Sequence, residues 1–399
     1  MSTTLSEFTQ GGPFEAVPLT KGPFHHFFGY YDKHQWDASD RRLLTLQVPF
    51  ADRSPGPEDV AKIGVIDTHR ENRLEIVGET RSWCWQQACM LQWLPQADDD
   101  IIYNDRIGDR FVSVIQALNV GVGLGQKTDR RILPRPIYTV SPDGRTALSL
   151  NFSRLARTRP GYGYAGLPDF RERDPHPADD GVFIMDLQTG DHDLVVSIDA
   201  LARLDPVPSM EGATHWVNHL LFNPTSKRFI FLHRWNSGKG FETRMYTCGV
   251  NGDGLHRVPI DRASHFVWYD DDHILVWARS ADHGDAYHLC TDRSDKTEAI
   301  GKDVFTRDGH CTRSPDGAWM LTDEYTGQDG KRPLMLYHLE SGRRIDLLRL
   351  ASLPAPVTEL RCDLHPRWNR SGTQICIDST HEGTRQMYLV DVSSLTRSA

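Results

Sequence analysis

Apolar residues recur at every second position in short runs along the chain, and a tight polar turn precedes each run. The clearest cases are SPDGRTALSL (141–150), NPTSKRFIFL (223–232), SPDGAWMLTD (314–323) and NRSGTQICID (369–378). In each, a Ser/Asn-Pro-Asp-Gly-like turn opens an alternating run, which is the pattern of a β-hairpin. WDASDRRLLTL (36–46), WLPQADDDIIYND (93–105) and WYDDDHILVWA (268–278) keep the same frame. A second pair of β-runs follows the hairpins, as in VFIMDLQTGDHDLVV and LMLYHLESGRRIDLL. Four strands per unit, seven units and a spacing of roughly 45–60 residues predict an all-β, seven-bladed β-propeller with four antiparallel strands per blade. Helical periodicity is confined to short stretches such as DALARL (199–204). The last unit ends one strand early. AVPLTKG (16–22) is expected to supply the missing strand and close the ring. The expected organisation is a flexible N-terminus over 1–13 and one propeller domain over 14–399.

Composition changes this picture little. Of 399 residues, 39% are hydrophobic and 25% charged, as in ordinary globular proteins. A net charge of −9 argues against nucleic acid or an anionic membrane as partner, while leaving room for a local basic pocket. Seven scattered cysteines without a CxxC pair suit reduced thiols. The N-terminal stretch lacks the basic and apolar regions of a signal peptide, so the expected location is cytoplasmic. No GxGxxG, Walker loop, HExxH or GxSxG occurs, so no nucleotide or organic cofactor is expected.

The candidate chemistry comes from aligning the units on their turns. His219, His265, His310 and His365 then occupy one equivalent position in four consecutive blades, at one level of the central channel. Imidazoles converging on a channel either ligate a transition metal or perform acid–base chemistry near neutral pH. The strand pair 214–235 adds His215, His233 and Arg234, and HHFFGYYDKHQW adds His26, Tyr30, Tyr31, Asp32 and Lys33. Gly29 is placed to allow a close turn that swings the tyrosines into the channel mouth. Further polar residues near the mouth are Asn104, Arg106, Asn151, Asn218 and Glu324. The basic, aromatic insertion SRLARTRPGYGYAG (153–166), with Arg154 and Tyr162, suits a sugar carboxylate and a pyranose face.

HHFFGYYDK, WCWQQACMLQW with IIYNDR, and NHLLFNPTSKRFIFLHRW resemble the β-propeller polysaccharide lyases, the oligogalacturonate and ulvan lyases. The resemblance implies β-elimination on a uronic-acid-containing glycan at the channel mouth, with an acidic oligosaccharide or polysaccharide as partner. It implies His219 as base, Arg234 as a bidentate carboxylate ligand, and Tyr30 or Tyr31 as acid, or as base if Arg234 or a metal lowers its pKa, with His215 as a further catalytic candidate. It implies His26, Asn104, Arg106, Asn151, Arg154, Tyr162, Asn218 and Glu324 as substrate contacts. It also implies a divalent metal held by His265, His310, Asp363 and His365. In RCDLHPRW, Asp363 stands where the family tends to have a second histidine, which leans the expected ion toward Mn²⁺ or Ca²⁺, with Zn²⁺ as a further option. Asn218 stands where ulvan-type members carry a tyrosine. Two other classes compete: a non-catalytic glycan- or protein-binding propeller, and a propeller glycoside hydrolase. The hydrolase needs two carboxylates about 5–10 Å apart, for which Asp323, Glu324, Asp363 and Asp378 are the candidates.

Overall fold

The computed structural model describes residues 14–97, 99–118 and 129–397. The arm expected to be flexible, 1–13, lies outside them. The described residues form seven four-stranded antiparallel sheets arranged in a ring, a seven-bladed β-propeller. Blades 1 to 6 are contiguous in the chain, over 25–80, 92–133, 139–197, 215–257, 266–300 and 312–351. Blade 7 takes three strands from 367–391. Its outer strand is Val17–Pro18, whose residues pair with Leu389 and Tyr388.

The repeated turn explains why each hairpin folds locally. The Ser141 hydroxyl donates to Asp143 and accepts from the Thr146 amide, and Gly144 supplies the left-handed residue at φ +71°. A Cβ there would stand 2.7 Å from the Pro95 carbonyl oxygen of the previous blade. Ser314 repeats the arrangement with Asp316, while Asn223 and Asn369 achieve it with a side-chain amide oxygen accepting two backbone N–H groups. Between blades the middle strands pack apolar faces, for example Ile230 and Leu232 against Ile274 and Val276. Burying such side chains stabilises the ring by about 1.5–3 kcal/mol each.

Two short helices interrupt the sheets. Phe152–Thr158 turns the start of the basic insertion into a helix, capped by the Asn151 side chain accepting from the Arg154 amide. Ile198–Arg203 is capped by Ser197. Among the described residues no helix is long and apolar enough to cross a membrane. All seven cysteines are free and buried.

The feature that decides the site is the path of residues 28–36. After the inner strand His25–Phe27, residues 28–34 leave blade 1 and cross the channel, and Gln35 and Trp36 rejoin it at Leu44 and Leu43. The Tyr31 hydroxyl donates to the Phe266 carbonyl of blade 5 and accepts from its amide, at 3.0 and 2.9 Å. Asp32 reaches His219 of blade 4, and Lys33 lies 5.0 Å from the centre of the Tyr138 ring beside blade 3. Gly29 makes the bend at φ +101°, where a Cβ would collide with Ala88 at 2.8 Å. The segment separates a cavity of about 1200 Å³, bordered by Tyr30, from one of about 530 Å³ bordered by Tyr31 to Trp36.

Candidate active site

The four aligned histidines stand at the entrance of successive inner strands and meet around the axis. Ring centres are 4.0 Å apart for His265 and His310, and 4.3 Å apart for His310 and His365. His219 joins them through the tyrosines: Tyr30 is 4.9 Å from His219 and 5.4 Å from His365, and Tyr31 is 5.3 Å from His310. His219 and His365 hold left-handed backbones, φ +50° and +42°, a conformation non-glycine residues adopt at a cost. At His219 the strand pairing slips between Asn218 and Leu221, a bulge that re-aims the imidazole.

His219 sits beneath Tyr30 instead of facing the large cavity. Its Nδ1 is 3.5 Å from the Tyr30 hydroxyl, its Nε2 is 3.0 Å from Asp32 Oδ2, and its ring stacks on Phe266 at 3.9 Å. Lys33 donates to the other Asp32 oxygen at 2.7 Å. Burial opposes ionisation of Asp32, but Lys33 and then His219 outweigh it and hold the carboxyl well below the usual range. Burial depresses His219 to about 4, with Asp32 opposing, so the imidazole is neutral near neutral pH. The Tyr30 phenol is pushed far up, by burial and then by Tyr138, Tyr162 and Asp32, against Arg234. Tyr30 is therefore a protonated phenol at the cavity wall, backed by an imidazole and a carboxylate.

The cavity itself is basic and aromatic. Tyr30, Asn218, Arg234, Arg159, Tyr162 and Tyr325 stand around it, with His265 and Arg307 among its further lining residues. Arg234 is 7% exposed, and among the described residues no carboxylate pairs with it. Its Nε donates to the Thr243 hydroxyl at 3.2 Å, and Phe241 lies 4.9 Å from the guanidinium. Burial, then Arg159, lowers it to about 10, still cationic at neutral pH. A buried cation without a counter-ion is costly, and an anion entering the cavity relieves that cost.

Beside the cavity lies a metal-ligand set. One donor atom each from His310, Asp363 and His365 can be chosen so that all lie within 4.8 Å of one another, and all three residues are buried. Nε2 of His310 and Nε2 of His365 have no hydrogen-bond partner, while Oδ1 of Asp363 is in an ion pair with Arg332. Asp323 fixes the His310 ring by accepting from Nδ1 at 2.8 Å, leaving Nε2 free, the carboxylate–histidine arrangement that orients metal ligands. Burial, followed by His310, depresses His365 far below its ordinary value, so it is a neutral donor. These residues fit a divalent metal. His265 lies adjacent, but its donor atoms fall outside that set. Its Nδ1 is 2.9 Å from Asp308, and Tyr325 covers both His265 and His310 at about 6 Å. Asp363 is also braced by two guanidinium groups, Arg332 and Arg361, at 2.8 Å each.

Several residues singled out in the sequence are placed elsewhere. His215 turns away from the cavity, with Nδ1 2.8 Å from His233 Nε2. Tyr31 is locked to Phe266 on the far side of the crossing segment. His26 is hydrogen-bonded to Gln386 between blades 1 and 7. Asn104 uses both ends of its amide to tie Ile137 and Tyr164, joining blades 2 and 3. Arg106 pairs with Glu58 near the surface. Arg154 is a buried staple donating to the carbonyls of His215, Asp174 and Pro175 and pairing with Asp169. Asn151 caps a helix. Glu324 is buried off the cavity, where burial pushes its carboxyl up. Asp323 braces His310, Asp363 pairs with two arginines, and Asp378 pairs with Arg367 and accepts from the Phe28 and Gly29 amides. None of these carboxylates lines the cavity. Arg307, Arg262 and Asp308 line it without any sequence signal, because loops outside the repeating frame carry them, and Phe241 joins them from the start of the strand Phe241–Gly249.

No protein-family model and no curated protein matches the sequence. Among solved structures, an oligogalacturonate lyase from Vibrio parahaemolyticus superposes with a TM-score of 0.67 at 11% identity, covering 98% of this chain and 96% of that one. An oligogalacturonate lyase in complex with manganese gives a TM-score of 0.67 at 13% identity, with the same coverage. The chain thus shares its fold, blade for blade along its length, with the oligogalacturonate lyases.

Proposed function

We propose that the protein is a lyase that cleaves a uronic-acid-containing oligosaccharide by β-elimination in the Arg234 cavity. The observation that carries this reading is the buried guanidinium of Arg234, lacking a carboxylate partner, beside a protonated phenol backed by His219 and Asp32. A uronate carboxylate would satisfy Arg234 through a bidentate contact and lose the charge that keeps its C5 proton from leaving. As the C5–H bond breaks, its electrons form the C4–C5 double bond and the C4–O bond opens. Tyr30 delivers its proton to the departing oxygen and regains one from solvent, while the Nδ1 lone pair of His219, fixed by Asp32, holds the phenol in place. His219 then acts through Tyr30 and not on the sugar.

Two imidazoles and a carboxylate favour Mn²⁺ at His310, Asp363 and His365, over Ca²⁺, which prefers oxygen alone. When bound, such an ion supplies additional positive charge next to the cavity. The four carboxylates the sequence offered for a glycosidase, Asp323, Glu324, Asp363 and Asp378, all lie off the cavity wall, and three of them are committed to His310 and to arginines. A short acidic substrate taken into the cytoplasm fits this reading.

The test is digestion of pectic, ulvan-type and glucuronan oligomers, following the ultraviolet absorbance of an unsaturated uronate together with released reducing ends. Both signals rising in parallel is the expected result. Reducing ends without absorbance would make the protein a hydrolase, and neither signal on any uronate would sink the lyase reading.

A further inference from the structure

Elimination also needs a group that accepts the C5 proton, and His219 lies under Tyr30, out of the cavity. Resting on the lyase reading, we propose that Tyr162 is the base that takes the C5 proton, working together with Tyr30 in the same cavity.

Tyr162 comes from the insertion after the helix Phe152–Thr158, and it lines the cavity with Tyr30 and Arg234. Its hydroxyl oxygen accepts from Nη2 of Arg361 at 2.9 Å. The Arg159 guanidinium lies 4.9 Å from its ring centre, and the Arg159 Nε is buried with no hydrogen-bond partner. Two cations thus flank one phenol. The charged and titratable groups that bear on it are Arg361, Arg159, Arg234, Asp363, Tyr325, Tyr138 and Tyr30. Burial alone would raise the phenol, and Asp363 adds to that. Arg361 and Arg159 reverse the balance, and Tyr162 falls below its ordinary 10.0. Tyr30 is displaced in the opposite direction. Two like groups pushed apart by their surroundings divide into a base and an acid. Of the other titratable rings at this wall, His265 has Nδ1 engaged by Asp308, and burial pushes the Tyr325 phenol up.

The step balances. The Tyr162 oxygen gains the C5 proton, the C–H pair becomes the C4–C5 π bond, the C4–O pair leaves with the departing sugar, and that oxygen takes the Tyr30 proton. The substrate yields an unsaturated uronate and a new hydroxyl end. The enzyme is restored when Tyr162 gives up one proton and Tyr30 regains one.

The experiment compares wild type with Tyr162→Phe, His219→Ala and a protein carrying fluorinated tyrosine at 162, all checked for melting temperature. Tyr162→Phe is expected to lower kcat by ~10²–10⁴-fold with KM changed only a few-fold. In the fluorotyrosine protein the ascending limb of the pH–rate profile is expected to move to lower pH, following the more acidic phenol. That replacement keeps the side chain's shape, so it decides the matter even if Tyr162→Phe fails to fold. An active wild type with an unmoved limb, or Tyr162→Phe within a few-fold of wild type, overturns the base assignment and leaves the lyase reading standing. A wild type silent on every uronate overturns both.

Discussion

Nε2 of His219 lies 3.0 Å from Oδ2 of Asp32, joining blade 4 to a segment that left blade 1 to cross the channel. That contact fixes which imidazole nitrogen faces Tyr30 and makes the three residues one unit. Tyr30→Phe is therefore expected to lower kcat by ~10²–10⁴-fold, the usual worth of a general acid. His219→Ala should cost less, because it removes a hydrogen-bond partner that orients Tyr30 and leaves the proton donor itself in place. Steady-state rates of unsaturated-uronate formation check both, and a larger loss in His219→Ala than in Tyr30→Phe would mean that Tyr30 is not the acid.

Arg234 presents a conflict between stability and function. Arg234→Lys keeps the charge but loses the fork, so kcat/KM should fall by about one to two orders of magnitude, the worth of one charged hydrogen bond. Arg234→Met should abolish activity while leaving the melting temperature equal or higher, since it removes a desolvated cation that has no partner. A marked drop in melting temperature would mean that Arg234 serves the fold.

For the metal-ligand set the readout is bound metal. After dialysis against Mn²⁺, His310→Ala and His365→Ala are each expected to lose the bound ion while remaining folded. Asp363→Ala is a harsher change, because it strands Arg332 and Arg361 and should cost about 3–5 kcal/mol in denaturant unfolding. Unchanged metal content in both histidine variants would remove the site.

Stability should fall on acidification through a definite window. Burial depresses His215 to about 4 and drives His233 well down, from an ordinary 6.5. Below 6.5 the unfolded chain takes up protons that the folded pair refuses, so stability is lost as pH drops from about 6.5 towards 4. The loss is on the order of 1 kcal/mol for the pair at pH 5, after allowing for solvent around His215. Replacing His233 with Phe should flatten the melting-temperature profile over that range.

Gly29→Ala tests the bend. The φ of +101° and the 2.8 Å approach to Ala88 leave no room for a methyl group. The variant should lose about 1–3 kcal/mol and nearly all activity, because Tyr30 and Asp32 follow Gly29 directly. Wild-type rates in this variant would show that the crossing segment is not part of the site.

What could be read from the sequence divides along the range of the interactions. The blades were legible because each hairpin turn is specified within a few residues, as Ser141, Asn223, Ser314 and Asn369 show. The meeting of His265, His310 and His365 was legible because repetition turns equal register into equal height. Depth within the channel has no such signal. The crossing of residues 28–34 depends on contacts with blades 3 to 7, which is why His219 looked like a free base and proves to be covered by Tyr30. Polar side chains between blades mislead for a related reason: Asn104 and Arg154 satisfy neighbouring backbone, and alternation alone does not tell such staples from substrate ligands. Asp308 and Arg307 lie on loops that no periodicity reaches.

The strip from Tyr30 to Trp36 has one more effect. The two cavities share no lining residue, with Tyr30 on one side and Tyr31 on the other. Between these two cavities the protein's own chain lies across the axis. On the lyase reading, a sugar seated in the Arg234 cavity would rest on that strip as on a floor, so incoming substrate and outgoing product would share one rim.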